Sequence, residues 1–402
     1  MTTPATALPP PERIAALDVV RGVAICGILF ANVLTFFGLF AMPDARIAAL
    51  PTADADRVAT FLEHALVSGK FYSIFSLLFG IGFGVQLARW EGDALPRFRR
   101  RLRVLLAIGA VHAVFIWAGD ILMLYALLGF TLPWFARKTD RELVRWTLIL
   151  LAIPTALYLV ALAVASVVGG GAPPAQAGAD TGGMPPQILA IFERVGTGGY
   201  VDAFIGNLVL LVGRWVDLIA TMRFPKVLGM FVLGLWLVRR GVALRPQEHR
   251  RLIARWAVLG WTIGLPANVL AAWAMEHWQY LPPSLGGLVA VAAQAVGVPL
   301  LAIGYAATVT LLVLDGRSVM RAFAPMGRMA LTNYLMQSVI CVTLASGWGG
   351  GLWWRIGASR AMAIAAVVVV VQLAVSALWM RRHRFGPAEW LWRRLTHGAA
   401  PG

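Results

Sequence analysis

The chain is short of charge, cysteine and histidine, and each shortage excludes something. Only 13% of its 402 residues are charged, where a soluble domain carries about 25%. With 59% apolar residues, it cannot clothe a globule of ordinary size in polar groups. The charges it has avoid the long apolar stretches and gather between them, as in a polytopic membrane protein. Its two cysteines, Cys26 and Cys341, both fall inside apolar stretches, so neither a disulfide framework nor a thiolate metal site can be built, and no metal is expected. No HExxH, P-loop or GxSxG pattern occurs. Acidic residues are also scarce, 19 against 35 Lys and Arg, for a formal net charge of +16. The basic residues form short clusters between apolar runs: RFRRRLR from Arg97, RRGVALRPQEHRR from Arg239 and RRHR from Arg381. None is long enough to track a nucleic-acid backbone, so the partner these charges imply is the lipid bilayer.

A spanning helix needs about 20 mostly apolar residues. Candidate spans are 19–41, 68–88, 102–118, 120–136, 143–168, 224–239, 256–275, 286–314, 328–346 and 360–380. The expected fold is therefore an all-α polytopic bundle of about ten transmembrane helices. The first run exceeds a signal-peptide core of roughly 7–15 residues and is expected to stay as the first helix. The third and fourth spans meet at Gly119-Asp120 as a tight helical hairpin.

The stretch 202–222 is apolar but contains Arg214 and Asp217, three apart on one helical face. The positive-inside rule decides its status. If it does not reverse the chain, and the N-terminus is cytoplasmic, the inner segments hold 26 of the 35 Lys and Arg. If it does, the clusters at 239–255 and 381–394 face outward. The rule favours an interfacial or re-entrant helix, with both termini cytoplasmic. The domain plan is then 1–168 as a five-helix bundle, 169–201 as a flexible Gly-, Ala- and Pro-rich outer loop, and 202–402 as an interfacial helix, five spans and an amphipathic tail. That tail, GPAEWLWRRL from Gly386, is expected to lie in the cytoplasmic interface.

Polar groups inside a bilayer are costly, so they are the first functional candidates. Asp18 and Arg21 share a face at the cytoplasmic end of the first helix. They can pair, or Arg21 can hold a phosphate. Asn32 lies about 16 Å further along. His112 is the one histidine inside a candidate span and reaches a similar depth. A neutral imidazole oriented by a carboxylate can serve as general base. Asp120 would be about 12 Å away on a continuous helix, so contact requires the hairpin to fold back. His64 and His277 lie near the outer interface. Arg328, Asn333, Tyr334 and Gln337 cluster near the start of the ninth span, where the two amides either glue helices or line a polar cavity. The glycines of LLFGIGFGVQ, from Leu77, read as close helix packing.

These segments together resemble the YeiB family, the bacterial membrane proteins that share domain of unknown function 418. The resemblance rests on LDVVRGVAICGILFANV from Leu17, KFYSIFSLLFGIGFG from Lys70, HAVFIWAGDILMLYALLG from His112, GRMALTNYLMQS from Gly327 and FGPAEWLWRRLT from Phe385. It implies an inner (plasma) membrane location and no defined activity. The opening LDxxRG also looks like the start of transmembrane acyltransferases, the acyltransferase-3 and heparan glucosaminide N-acetyltransferase groups. That likeness implies an acyl group moved from cytoplasmic acyl-CoA, the donor, to an envelope glycan or lipid acceptor. The acyltransferase-3 group has a histidine eleven residues after the motif arginine, where this chain has Asn32. The heparan group has asparagine there and a histidine further on, a role that would fall to His112, or less readily to His64. On this reading Asp18, Arg21, Asn32, Arg328, Asn333 and Gln337 bind substrate or donor, and His112 with Asp120 is catalytic. The alternatives are a small-solute transporter and a non-catalytic envelope accessory protein. A transporter favours broken helices and inverted repeats, and the sequence displays neither.

Overall fold

A computed structural model describes residues 15–88, 94–168, 185–278 and 283–397, which are helices and turns with no strand among them. The first half comprises α1 (Ala15–Phe36), short α2 (Asp44–Ala48), α3 (Ala53–Leu66), α4 (Lys70–Ala88), α5 (Ala94–Phe115), α6 (Leu122–Gly129), α7 (Leu132–Phe135) and α8 (Asp140–Val168). The second half comprises α9 (Pro186–Thr197), α10 (Tyr200–Ala220), α11 (Arg223–Arg239), α12 (Arg250–Leu259) and α13 (Leu265–His277), then α14 (Leu285–Leu314), α15 (Ser318–Arg321), α16 (Phe323–Arg328), α17 (Ala330–Ala345), α18 (Ala358–Arg382) and α19 (Pro387–His397). Seven stretches are long and apolar enough to cross a membrane: 15–41, 53–88, 140–167, 200–220, 250–277, 285–314 and 358–382. The outer face is apolar, and a few polar side chains lie inside among the hydrophobic cores. Val160, Val167, Val367 and Val370 point outward, while Asn333, Gln337, Gln372 and Ser376 are buried, as expected where the surroundings are hydrocarbon.

Two passages are broken. Between α3 and α4 the chain turns at Val67–Gly69, with Gly69 at φ +86. Between α10 and α11 it turns at Met222, which adopts φ 48. Both fall at boundaries of the stretches read from the sequence, the start of 68–88 and the junction of 202–222 with 224–239, whereas α3 lies outside the candidate spans. The α12–α13 passage instead continues through a π-helical turn over Gly260–Gly264.

Helix directions follow from contacts. A Cβ on Gly80 would lie 2.0 Å from the Phe231 carbonyl oxygen and one on Gly84 2.9 Å from Val238. The two helices therefore run parallel at near-backbone contact, the packing expected of the LLFGIGFGVQ glycines. In contrast, Gly82 meets nothing within 4 Å. The helix α8 runs antiparallel to α11, with Leu150 beside Gly229 and Asp140 beside Arg239. With α4 and α11 parallel, α10 adds no separate reversal. Although α10 is long and apolar enough to span, its contacts hold it across the end of α5. Tyr200 Oη donates to Phe115 O, Phe204 stacks on Phe115, and Asn207 bonds Ala113, Val114 and Ala118. A helix running along α5 would leave that end within two turns.

The helix α1 begins and α19 lies on one side of the bundle, where they converge with α16. The basic clusters at 97–103 and 381–394 lie on that side, which the positive-inside rule makes cytoplasmic. The two chain halves interleave rather than standing apart, because one core contains Ile25, Phe83, Leu124, Phe231 and Tyr334. Of the expected outer loop 169–201, residues 169–184 lie outside the described residues. The rest is corrected: 186–197 form α9, whose buried Phe192 and Val195 pack beside Trp353 in a second core. Apolar side chains at 188, 189, 192 and 195 give it a face to bury, which a purely flexible loop would lack.

Candidate functional site

On the cytoplasmic side α1, α4, α5, α6 and α17 enclose a cavity of about 420 Å³. Its wall is written at helical spacing: Asp18, Arg21, Ile25 and Ile28 from α1, and Phe98, Arg101, Leu102 and Leu105 from α5. Aromatic and apolar side chains of α4, including Phe75, Phe79 and Phe83, line its interior, and Ile121, Tyr125 and Tyr334 bound it.

One face of the amphipathic helix α19 forms the cavity floor, while Trp390, Leu391 and Leu395 stay exposed on the other. The Glu389 carboxylate accepts from Leu331 N at 2.6 Å, Thr332 N at 3.1 Å and Thr332 Oγ1 at 2.6 Å. A residue from the tail thereby caps α17, whose first-turn N–H groups otherwise lack acceptors. Trp392 Nε1 donates to Arg101 O, and the Arg101 guanidinium stacks 4.2 Å over the Trp392 ring. This docking brings Arg384 and Arg393 to the cavity beside Arg21, Arg101 and Arg328. Five arginines then face two carboxylates. Asp18 is occupied by Arg21 at 2.8 Å, and Glu389 by the α17 cap. The lining is therefore cationic at the mouth and apolar within.

Beyond the inner end lies His112. The α5 stripe that lines the cavity continues through Gly109 to His112, and the α1 stripe continues from Ile28 to Asn32, but neither residue lines the cavity. His112 is 1% exposed, and its Nδ1 lies 2.9 Å from Asp120 Oδ2. The hairpin does fold back: α5 ends at Phe115, Trp117 N bonds His112 O, and the turn delivers Asp120 to the imidazole. Asp120 Oδ1 accepts from Met123 N at 2.8 Å. With both carboxylate oxygens accepting, a neutral His112 would carry its proton on Nδ1 and keep the lone pair on its buried Nε2, which has no hydrogen-bond partner among the described residues. The Tyr334 ring, which faces the cavity, stands 5.2 Å from the imidazole, and its hydroxyl accepts from Ile121 N at 3.3 Å. One layer of side chains separates cavity from base.

The remaining candidates fall elsewhere. Asn333 Nδ2 donates to Ser376 Oγ and Met326 O, and Gln337 Nε2 donates to Gln372 Oε1 and Ile25 O. These two amides glue α1, α17 and α18 and do not line the cavity. His64 sits at the α3–α4 break beside Glu63, and His277 stacks on Trp273. Sequence reasoning missed Arg101, Arg384, Arg393 and Glu389. The basic runs were visible, but which of their members turn inward depends on where α19 docks. No group of three or more His, Cys, Asp and Glu able to hold a metal occurs among the described residues.

Comparisons place this arrangement among proteins without assigned chemistry. The family model described as "Protein of unknown function (DUF418)" matches residues 237–399. The "Uncharacterized protein YxaH" of Bacillus subtilis (strain 168) is 31% identical over 96% of this chain and 94% of its own length. The "Uncharacterized protein YeiB" of Escherichia coli (strain K12) is 32% identical over 97% of each. No solved structure matches.

Proposed function

The chain belongs to the DUF418 family that YeiB and YxaH represent, and we propose that it is an inner-membrane acyltransferase using cytoplasmic acyl-CoA to modify an envelope glycan or lipid. One observation carries the reading. A cavity with an arginine-rich cytoplasmic mouth and apolar walls ends one side chain short of a carboxylate-oriented histidine. The mouth suits the donor's phosphates, because guanidinium forks match phosphate oxygens. The apolar interior suits the pantetheine arm and acyl chain. Tyr334 is the gate, since its rotation would join the cavity to His112.

In the reaction, His112 Nε2 takes the proton of the acceptor's hydroxyl or amine as that group attacks the thioester carbonyl. The C–S bond then breaks, and the departing thiolate recovers the proton from the imidazolium. Asp120 holds the Nδ1–H tautomer and stabilises the cation. Arg21, with Arg101 and Arg328, anchors the donor.

A second reading, transport of an amphiphilic anion through the same cavity, draws support from the broken passages at Val67–Gly69 and Met222. Two measurements separate the readings: calorimetry of acyl-CoA binding in detergent, and mass spectrometry of envelope glycans and lipids with and without the gene. Acyl transfer requires CoA binding that Arg21→Ala weakens and an acyl group missing from the envelope of the deletion strain. CoA affinity equal in wild type and Arg21→Ala would remove Arg21 from the site.

A further inference from the structure

The break between α10 and α11 gathers a set of charges that the acyl-transfer reading does not use. Arg214 Nη1 lies 3.0 Å and Arg223 Nη2 3.5 Å from Asp217 Oδ2. Lys226 follows Arg223 by three residues, on the same face of the first turn of α11, and makes no hydrogen bond or ion pair among the described residues. Three cations therefore meet one carboxylate. Asp120, across a small void from Arg214, is engaged by His112 and Met123. Arg214 Nε is buried without an acceptor, and Arg223 lies 5.4 Å over the Tyr72 ring. The α11 N-terminus has no side-chain cap, so its partial positive charge adds to the excess.

Position narrows the ligand. From Arg223 to Arg239, at the cytoplasmic edge, is about 24 Å along α11, against a hydrocarbon core about 30 Å thick. The cluster therefore lies in the outer half of the bilayer. It is open on one side, with Asp217 41% and Arg223 23% exposed. Beside it α10 presents Val212, Val216 and Ile219 outward, a face suited to acyl chains. Uncompensated cations at such a depth call for an anion, and an anion reached sideways from lipid is a headgroup. We propose that Arg214, Arg223 and Lys226 bind the phosphate of an anionic lipid of the outer leaflet. This binding does not depend on the acyl-transfer reading.

The test uses the full chain in nanodiscs of phosphatidylcholine, with or without phosphatidylglycerol, and reads retained lipid by native mass spectrometry and thermal unfolding. A third arm supplies inorganic phosphate in detergent. Phosphatidylglycerol should be retained and raise the unfolding temperature. Replacing all three cations by Gln should weaken it at least about tenfold, because charge-assisted bonds are lost. Arg251→Gln with Arg255→Gln, on the cytoplasmic side, should change it less than about threefold. Asp217→Asn removes the competing carboxylate and should tighten binding, an effect that a merely structural ion pair would not produce. If the triple variant fails to fold, Lys226→Gln and Asp217→Asn carry the comparison. Equal phosphatidylglycerol retention by wild type and cation variants, or weaker binding by Asp217→Asn, would overturn the site. An equal response to inorganic phosphate would overturn the lipid assignment in favour of a free anion.

Discussion

Asp120→Asn should convert His112 from base to bystander, and hydrogen-bond geometry dictates how. One Asp120 oxygen accepts from Met123 N and the other from His112 Nδ1. Asparagine has a single oxygen. If the Met123 N–H, fixed in the first turn of α6, keeps that oxygen, the amide N–H group must face the imidazole. Nδ1 then has to accept, the proton moves to Nε2, and the lone pair that would take the acceptor's proton is gone. Shape and burial barely change. Exchanging a charge-assisted bond for a neutral one should cost about 1 kcal/mol of stability. Loss of general-base function should lower the transfer rate about 10²–10⁴-fold. The assay is transfer of a radiolabelled acyl group by purified protein in nanodiscs, alongside thermal unfolding and acyl-CoA calorimetry. Nitrogen NMR of labelled histidine reads the tautomer directly. Unaltered turnover in Asp120→Asn whose Nε2 is protonated would refute the base assignment. His112→Gln then provides the complement: a structural histidine tolerates it, whereas a base does not.

Four further outcomes are expected. Arg21→Lys should weaken acyl-CoA binding, since lysine lacks the bidentate fork, and calorimetry against Asp18→Asn measures the difference. Glu389→Ala should undock α19 from α17 and expose the cavity mouth, seen as faster hydrogen exchange in 387–397 and looser CoA binding, with the bundle still folded. Gly80→Ala, which sets a Cβ 2.0 Å from the Phe231 carbonyl, should destabilise by about 1–3 kcal/mol, while Gly82→Ala should be tolerated in the same detergent melt. Cysteine-accessibility labelling should find 239–255 cytoplasmic and 169–186 outside; outward labelling of 239–255 would invert every later passage.

The legible parts of this protein are those set by transfer free energy and local spacing. A helix that must bury some twenty apolar residues announces itself in one dimension. The basic clusters orient it, because charge is retained on the cytoplasmic side wherever the helices come to pack. Helical period alone placed Asp18 with Arg21 on one face of α1, with Asn32 about 16 Å further along it. What spacing could not supply was depth across partners. His112 and Asp120 are eight residues apart, too far on a straight helix. They touch because the chain turns at 116–121. Asn333 and Gln337 looked equally suited to cavity or glue, and Gln372 and Ser376 on α18 decided for glue. The boundaries at 68 and 222 are legible, but that α3 with α4 and α10 with α11 form broken passages shows only in their packing against α14 and α5. The cavity was the least visible of all. Its arginines come from α1, α5, α16 and the tail, and only the docking of Glu389 onto the α17 N-terminus turns separate cytoplasmic charges into one binding surface. Sequence determined which groups must avoid lipid, because that cost is paid residue by residue; tertiary structure decided which of them meet, because that depends on helices far apart in the chain.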